Sequence, residues 1–232
     1  MKKNLLVILI TIIIVLFSLN TAAESNYNWE ELITTTQAQL ENNSKDIILN
    51  YTLAVAYANT GEIKKSYDII DVFGSSVSRE DFNTAVSPYL ADWENYKDYN
   101  NLLLLNYAAF KEVINKNYKN AVSLFEYIFE IDPNNLWALN HAAAALIEVP
   151  EYDKALEYAN QALSIQQNEY SHLIKGYVYY ERGNYIKAVM EAASAQNLFR
   201  ALADDEDQDF TEWNILTYIW EEFDVIWSAG KF

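Results

Sequence analysis

The chain contains no cysteine, and this absence excludes disulfide bonds, zinc–thiolate sites and cysteine nucleophiles. Only five glycines are present, and their scattered positions allow neither a Gly-rich phosphate loop nor a Gly-x-Ser-x-Gly nucleophile elbow. The two histidines, His141 and His172, do not have the i, i+4 spacing of a helical zinc-binding pair. The sequence therefore predicts no catalytic residue, no cofactor and no metal site. An enzyme that uses surface carboxylates is kept as a minor alternative.

Basic residues are also scarce, because 16 Lys and Arg face 33 Asp and Glu, for a formal net charge of -17. This charge repels nucleic acid and disfavours anionic membrane surfaces. Two interpretations of the acidity stay open. It keeps an exported protein soluble, or it selects a basic or cationic partner.

Long apolar runs are limited to one, from Leu5 to Leu19. Lys2 and Lys3 precede it and Thr21-Ala22-Ala23 follow it, which is the pattern of a secretory signal peptide. We therefore expect residues 1–23 to be removed and the protein to work outside the cytoplasm, in the periplasm, in the cell envelope or as a secreted protein, with no membrane contact after cleavage. The alternative is an uncleaved N-terminal helix that anchors the chain.

A repeat is present instead. Three small residues recur at separations of 34 and 33 residues, namely Ala121, Ala155 and Ala188. A tyrosine lies three positions before each, at Tyr118, Tyr152 and Tyr185, and the residues five positions before are Lys116, Pro150 and Gly183. Ser66 opens a fourth register, with Gly61 five positions before it. Each unit is predicted to be two amphipathic helices, for example Trp137 to Glu148 and Tyr152 to Ser164, joined by a turn. One pair is too thin to bury its apolar stripes, so the pairs must stack.

This spacing resembles the tetratricopeptide repeat, a helix-turn-helix unit of 34 residues. The segments "LAVAYANTGEIKKSYDIIDVF" (53–73) and "GYVYYERGNYIKA" (176–188) carry the resemblance, and Pro133 lies where the family has its inter-repeat proline. Glu112 and Lys116 depart from the pattern, since the family has an aromatic residue and a glycine there. The resemblance implies an all-α solenoid that winds as a right-handed superhelix and ends in a C-terminal capping helix.

On this register the mature chain is a single domain. The predicted parts are a half-repeat at 27–43, a repeat at 46–73, an insert at 74–101, three repeats at 102–135, 136–168 and 169–200, an acidic linker at 201–209 and a capping helix at 210–228. The insert is predicted to be a loop and a helix, with Pro88 near the start of a helical turn.

The two C-terminal segments have alternative interpretations. Within 204–209, the run "DDEDQD" is read as a solvated linker, with a specific cation site as the alternative, because Phe210 and Leu216 fall where a calcium loop needs glycine and glutamate. The last helix carries one apolar stripe of Trp213, Leu216, Trp220, Phe223 and Trp227. It is expected to cap the stack, and a partner or dimer contact is the alternative.

The resemblance also implies a binding surface. In the family, the first helix of each pair lines a concave groove that holds peptide ligands, and eight positions correspond: Tyr51, Val55, Asn106, Phe110, Trp137, Asn140, Tyr177 and Tyr180. Asn106 and Asn140 are 34 residues apart and would pair with a peptide backbone. None of the eight is basic, which argues against a clamp for a terminal carboxylate. The alternative is that these residues pack against a neighbouring helix or against the insert.

The expected function is that of an exported, non-catalytic interaction module or scaffold that binds a protein or peptide partner. The alternative from another class is a self-assembling envelope protein, paired through the Trp-rich C-terminal helix and the insert, so a homo-oligomer is possible.

Overall fold

The computed structural model describes residues 27–91 and 101–195, and every regular element in these two ranges is an α-helix. The ten helices are α1 (Trp29–Leu40), α2 (Ile47–Asn59), α3 (Ile63–Ser76), α4 (Arg79–Leu90), α5 (Leu102–Ile114), α6 (Tyr118–Ile131), α7 (Leu136–Glu148), α8 (Tyr152–Ile165), α9 (Glu169–Glu181) and α10 (Tyr185–Ser194). The all-helical fold class is confirmed. The predicted signal peptide, acidic linker and capping helix lie outside the described residues.

Short polar side chains set the starts of most of these helices. In seven of the ten described helices the residue before the first turn accepts a hydrogen bond from a backbone N–H of that turn: Asn28, Asp46, Ser78, Asn101, Asn135, Asn168 and Asn184. Such a bond satisfies one of the N–H groups that a helix start leaves without an intrahelical partner. The Asn-rich junctions of this sequence therefore determine where the helices begin.

The turn inside each helix pair repeats one hydrogen-bond pattern. After α2, α5 and α9 the second residue beyond the helix cap donates its N–H to a carbonyl five residues back, at 2.8, 2.9 and 2.8 Å. This closure places the preceding residue in the left-handed region, with φ values of 85° at Gly61, 62° at Lys116 and 69° at Gly183. Gly61 has a second requirement, because Gln166 Nε2 donates to its carbonyl at 2.9 Å and a Cβ there would meet that side chain. Lys116 thus adopts the conformation that the family assigns to glycine.

Replacing Lys116 with glycine should stabilise the fold by about 1 kcal/mol, because a left-handed φ is less favourable by about that amount for a residue with a Cβ. Lys111→Gly is the matched control. It removes the same side chain from the interior of α5 and should destabilise by about 1 kcal/mol. Urea denaturation of both variants measures the two changes. If both substitutions changed the free energy of unfolding in the same direction, the backbone of the turn would not be strained at Lys116.

The six helices from α5 to α10 stack in chain order. Each contacts the next, and α7 also contacts α9 across the intervening helix. The small residues of the predicted register, Ala121, Ala155 and Ala188, are completely buried. Ser66 is buried as well, and its hydroxyl donates to the Ala54 carbonyl at 2.7 Å. The small residues therefore mark where the two helices of a pair approach each other closely, as the spacing predicts.

The first pair and the insert do not continue this order. Helix α4 contacts both α2 and α5, while α2 also contacts α7 directly. Phe82 and Val86 of α4 are fully buried, and Asn83 and Asn115 exchange two amide hydrogen bonds of 3.0 Å. Helix α4 thus occupies a place in the core beside α5.

The prediction for Pro88 is wrong. The helix of the insert begins at Arg79, where Ser78 and Asp81 form a reciprocal capping box, and Pro88 lies inside it near the C-terminal end. The capping box fixes the helix start at Arg79, nine residues before the proline, so the proline does not begin a helical turn. In the described ranges no helix is both long enough and apolar enough to cross a membrane.

Candidate partner-binding face

Six of the eight predicted groove residues are buried inside the protein. They are Tyr51 and Val55 on α2, Asn106 and Phe110 on α5, and Trp137 and Asn140 on α7, each exposed by 4% or less. We call the side of α5 and α7 that carries the last four residues the first-helix face. In the described structure these six residues therefore do not line an open groove. Their assignment to partner binding stays a prediction.

The first-helix face is covered by α2, and Tyr51 is the centre of the contact. Its ring stacks on Phe110 at 4.6 Å between centroids and meets the edges of Trp137 and Phe82 at 5.5 Å each. The Tyr51 hydroxyl donates to the Asn106 carbonyl at 3.1 Å. Packing against a neighbouring helix and the insert is thus the arrangement observed. We call Tyr51, Phe82, Phe110, Trp137 and His141 the aromatic cluster.

Polar contacts fix α2 and α3 against the later helices at points beyond the aromatic cluster. The hydroxyls of Thr52 and Tyr107 lie 2.6 Å apart, and the backbone N–H of Trp137 donates to Asn59 Oδ1 at 3.4 Å. Farther along, the rings of Tyr67 on α3 and Tyr170 on α9 stack at 4.3 Å. The first helix pair therefore reaches as far as the third stacked pair.

Each of the two asparagines on the first-helix face has one polar side-chain atom without a hydrogen-bond partner. Asn106 Nδ2 donates to the Leu102 carbonyl at 2.7 Å, but Asn106 Oδ1 accepts nothing. Asn140 Oδ1 accepts from the Ser171 hydroxyl at 2.6 Å, but Asn140 Nδ2 donates to nothing. Each unsatisfied buried group costs about 1–3 kcal/mol. The face therefore presents one free acceptor and one free donor on neighbouring helices.

Trp137 Nε1 is also buried without a partner that meets hydrogen-bond geometry. Burial raises the pKa of the Tyr51 hydroxyl well above its usual value, and the nearby indole of Trp137 opposes this with a smaller lowering effect. A short and aligned contact is needed to satisfy a buried N–H, and this indole makes none. Tyr51 therefore stays neutral and cannot act as a base at any ordinary pH.

His141 lies within the aromatic cluster in a dry environment. Its ring stacks on Trp137 at 3.9 Å, and Nδ1 lies 2.9 Å from the Trp137 carbonyl. Burial lowers the pKa of His141 to about 4, against a smaller opposing effect of that carbonyl. The ring is thus neutral near pH 7, and its contacts are those of a histidine packed in the core.

Tyr177 and Tyr180, the last two predicted groove residues, are half-buried on α9. Tyr180 meets Tyr185 of α10 edge to face at 5.7 Å. They are therefore the two members of the predicted set with exposed surface, and they lie away from the aromatic cluster. Nearby, Glu191 of α10 binds His172 at 2.7 Å and Lys175 at 2.8 Å, all three mostly shielded from solvent. This small network ties α9 to α10.

Sequence reasoning missed several residues that build this region. The repeat pattern assigns no role to Phe82 or His141, and it does not predict the stacking of Tyr67 on Tyr170. Phe82 and Val86 do show a four-residue apolar spacing after a capping box, which is a signal for a packed helix. The Tyr67–Tyr170 contact joins residues 103 positions apart, for which one sequence offers no signal.

In the described ranges no three His, Asp or Glu side chains are placed to hold a metal ion together.

Comparisons with known proteins agree with the repeat. The family model described as Tetratricopeptide repeat matches residues 113–175. The TPR repeat-containing protein MJ1428 of Methanocaldococcus jannaschii is 26% identical over 145 residues, which are 61% of this chain and 24% of that protein. This chain thus matches about a quarter of the length of that relative.

Similar solved structures include MamA MSR-1 and the TPR2AB domain of yeast Sti1 in its complex with pHSP90. MamA MSR-1 is 19% identical with a TM-score of 0.43, and the match covers 73% of this chain and 92% of MamA. The Sti1 domain is 14% identical with a TM-score of 0.42, and the match covers 88% of this chain and 92% of the domain.

Proposed function

We propose, from the premise that this chain belongs to the tetratricopeptide repeat family, that it is an exported, non-catalytic module that binds a segment of a partner protein on the first-helix face. Helix pairs of this family serve protein–protein interaction. The observation that supports the specific face is the pair of unsatisfied atoms on it, Asn106 Oδ1 and Asn140 Nδ2.

These two atoms match a peptide backbone. Every residue other than proline offers one N–H donor and one C=O acceptor, which are the two groups that Asn106 Oδ1 and Asn140 Nδ2 lack. Binding a backbone there would relieve a cost that the unbound protein carries. A purely structural face would gain by having apolar residues of similar size at both positions.

Helix α2 occupies this face in the described structure, so the partner segment has to take its place. Tyr51, Val55 and Ala54 of α2 are completely buried, and a displacing segment must supply comparable apolar surface. Aromatic side chains suit this requirement, since Phe110 and Trp137 already stack on one. The net charge of -17 favours a neutral or basic segment over an acidic one.

The test separates binding from stability. Asn106→Leu and Asn140→Leu remove the unsatisfied atoms and keep the number and branching of the side-chain heavy atoms, and Asn160→Leu on the exposed side of α8 is the matched control. A displayed library of random 12-residue peptides is selected against the exported chain, whose N-terminal residue is Glu24 if the signal is removed. Selected peptides should bind each first-helix-face variant about tenfold more weakly, the loss expected for one unpaired backbone group, while the control keeps full affinity.

The change in the free energy of unfolding distinguishes a binding role from a packing role, because loss of a packing residue would lower stability. We expect Asn106→Leu to leave the free energy of unfolding unchanged or higher while peptide affinity falls. Peptides that bind wild type and both variants equally would remove the first-helix face as the site. Selected peptides that are predominantly acidic would contradict the charge argument, and selected peptides without aromatic residues would contradict the packing argument.

A further inference from the structure

An apolar patch is exposed on the outer side of the last described helix. Tyr185, Ile186 and Met190 of α10 are exposed by 56, 75 and 65%. We call these three residues the outer patch. They lie on one side of the helix because they are separated by one, four and five positions.

Tyr185 is the tyrosine of the repeat, but the repeat does not require apolar residues at the positions of Ile186 and Met190. By the register of Ala121, Ala155 and Ala188, Ile186 corresponds to Lys119 and Asp153, and Met190 corresponds to Ser123 and Glu157. All four counterparts are polar and exposed. Since two equivalent helices place water-facing polar residues there, the apolar residues of α10 are specific to this helix.

A positive charge adjoins the outer patch. Lys187, between Ile186 and Ala188, lies over the ring of Tyr179 at 5.1 Å and has no ion pair among the described residues. Such a site suits an apolar segment that carries carboxylates beside its stripe, in a chain where basic residues are outnumbered two to one.

The chain contains a segment of this kind. Residues 210–228, outside the described part, carry the apolar stripe of Trp213, Leu216, Trp220, Phe223 and Trp227, and the same stretch holds Glu212, Glu221, Glu222 and Asp224 but no Lys or Arg. The apolar stripe has the three- and four-residue spacing of an amphipathic helix. Its charge is opposite to that of Lys187.

Chain length permits the contact. Fourteen residues, 196–209, separate α10 from this segment, and an extended chain of that length spans up to roughly 45–50 Å. The distance back along α10 from Ala195 to Ile186 is about 14 Å at the rise of an α-helix. The short tether also gives the segment an effective concentration in the millimolar range, which a second copy at micromolar concentration does not match.

We propose that residues 210–228 dock on the outer patch of their own chain, with Trp side chains over Ile186 and Met190 and carboxylates near Lys187. The last helix pair is then covered on its convex side. This inference does not depend on the proposed peptide site, because the outer patch is on α10 and the first-helix face is on α5 and α7.

The absence of native cysteine makes a direct test possible. Met190→Cys and Trp220→Cys are combined in the full-length chain, and disulfide formation under mild oxidation is followed at several protein concentrations. The control pair is Glu157→Cys with Trp220→Cys, which uses the matching register position on α8. We expect a cross-link within one chain, independent of concentration and at least tenfold faster than in the control pair.

Ile186→Asp provides the second measurement. Ile186 is 75% exposed, so the substitution should leave the helical content unchanged, and circular dichroism checks this. Hydrogen exchange of residues 210–228 should become roughly tenfold faster in the variant. Cross-links that form only between chains would assign the outer patch to a second copy and overturn the proposal. Equal cross-linking of the control pair, or unchanged exchange in Ile186→Asp, would also overturn it.

Discussion

Tyr51→Ala is expected to lower the free energy of unfolding by about 4 kcal/mol, which is the usual cost of removing a buried aromatic side chain. Tyr51 is completely buried, and its ring contacts Phe82, Phe110 and Trp137 on three different helices. The substitution leaves a cavity where the insert, the first pair and the later pairs meet. Chemical denaturation measures the loss.

Two further variants separate the parts of this effect. Tyr51→Phe removes only the hydroxyl that donates to the Asn106 carbonyl, and it should cost about 1 kcal/mol. Tyr89→Ala deletes the same atoms from a side chain that is 51% exposed, and its cost should be less than half that of Tyr51→Ala. Equal losses at Tyr51 and Tyr89 would contradict the burial of Tyr51.

The contact between Tyr51 and Trp137 can also be tested separately, through its coupling energy. The two residues are 86 positions apart, and their rings meet at 5.5 Å. A double-mutant cycle on Tyr51→Ala and Trp137→Ala should give a coupling energy of about 1 kcal/mol. Strict additivity would mean that α2 does not lie on the first-helix face in solution.

The helices themselves could be predicted from the sequence for local reasons. The Ala121, Ala155 and Ala188 register places small residues where paired helices approach, and Lys116 and Gly183 fall at the turns five positions earlier. These signals act over a few residues, through hydrogen bonds, φ preferences and side-chain size. Each is visible in one sequence without knowledge of the rest of the chain.

The state of the binding face could not be predicted in the same way. Phe110, Trp137 and Asn140 are compatible with an open groove and with a packed interface, because both need aromatic and amide side chains at the same helical positions. What decides is the placement of α2, which depends on contacts over 55 to 105 residues such as Tyr51–Asn106 and Gly61–Gln166. The 21-residue excess between Ser66 and Ala121 is the sequence feature that breaks the regular stacking order, and it supplies α4.

The burial of the face changes what the two asparagines mean. In an open groove, water would satisfy Asn106 Oδ1 and Asn140 Nδ2, and their presence would carry no cost. Covered by α2, they are a defect of the closed form, which lowers the energy needed to replace α2 by a segment with free backbone groups. Under the proposed function, the two asparagines lower the stability of the closed form and favour binding of a partner segment.

His141 makes the stability of this region depend on pH. Burial among aromatic rings lowers the pKa of His141 to about 4, below the ordinary value of 6.5 that it regains on unfolding. Between these two values the unfolded chain binds a proton that the folded chain does not. The stabilising contribution of neutral His141 is thus fully present above pH 6.5 and is lost as the pH falls towards 4.

His141→Gln isolates this contribution, because glutamine keeps a polar contact for the Trp137 carbonyl but does not titrate. Relative to the variant, the wild-type protein should lose about 2 to 3 kcal/mol of unfolding free energy between pH 7.5 and pH 4.5. The many carboxylates are common to both proteins and cancel in the comparison. A wild-type-minus-variant difference that stays constant over this range would show that water reaches His141, and with it the first-helix face, in the folded protein.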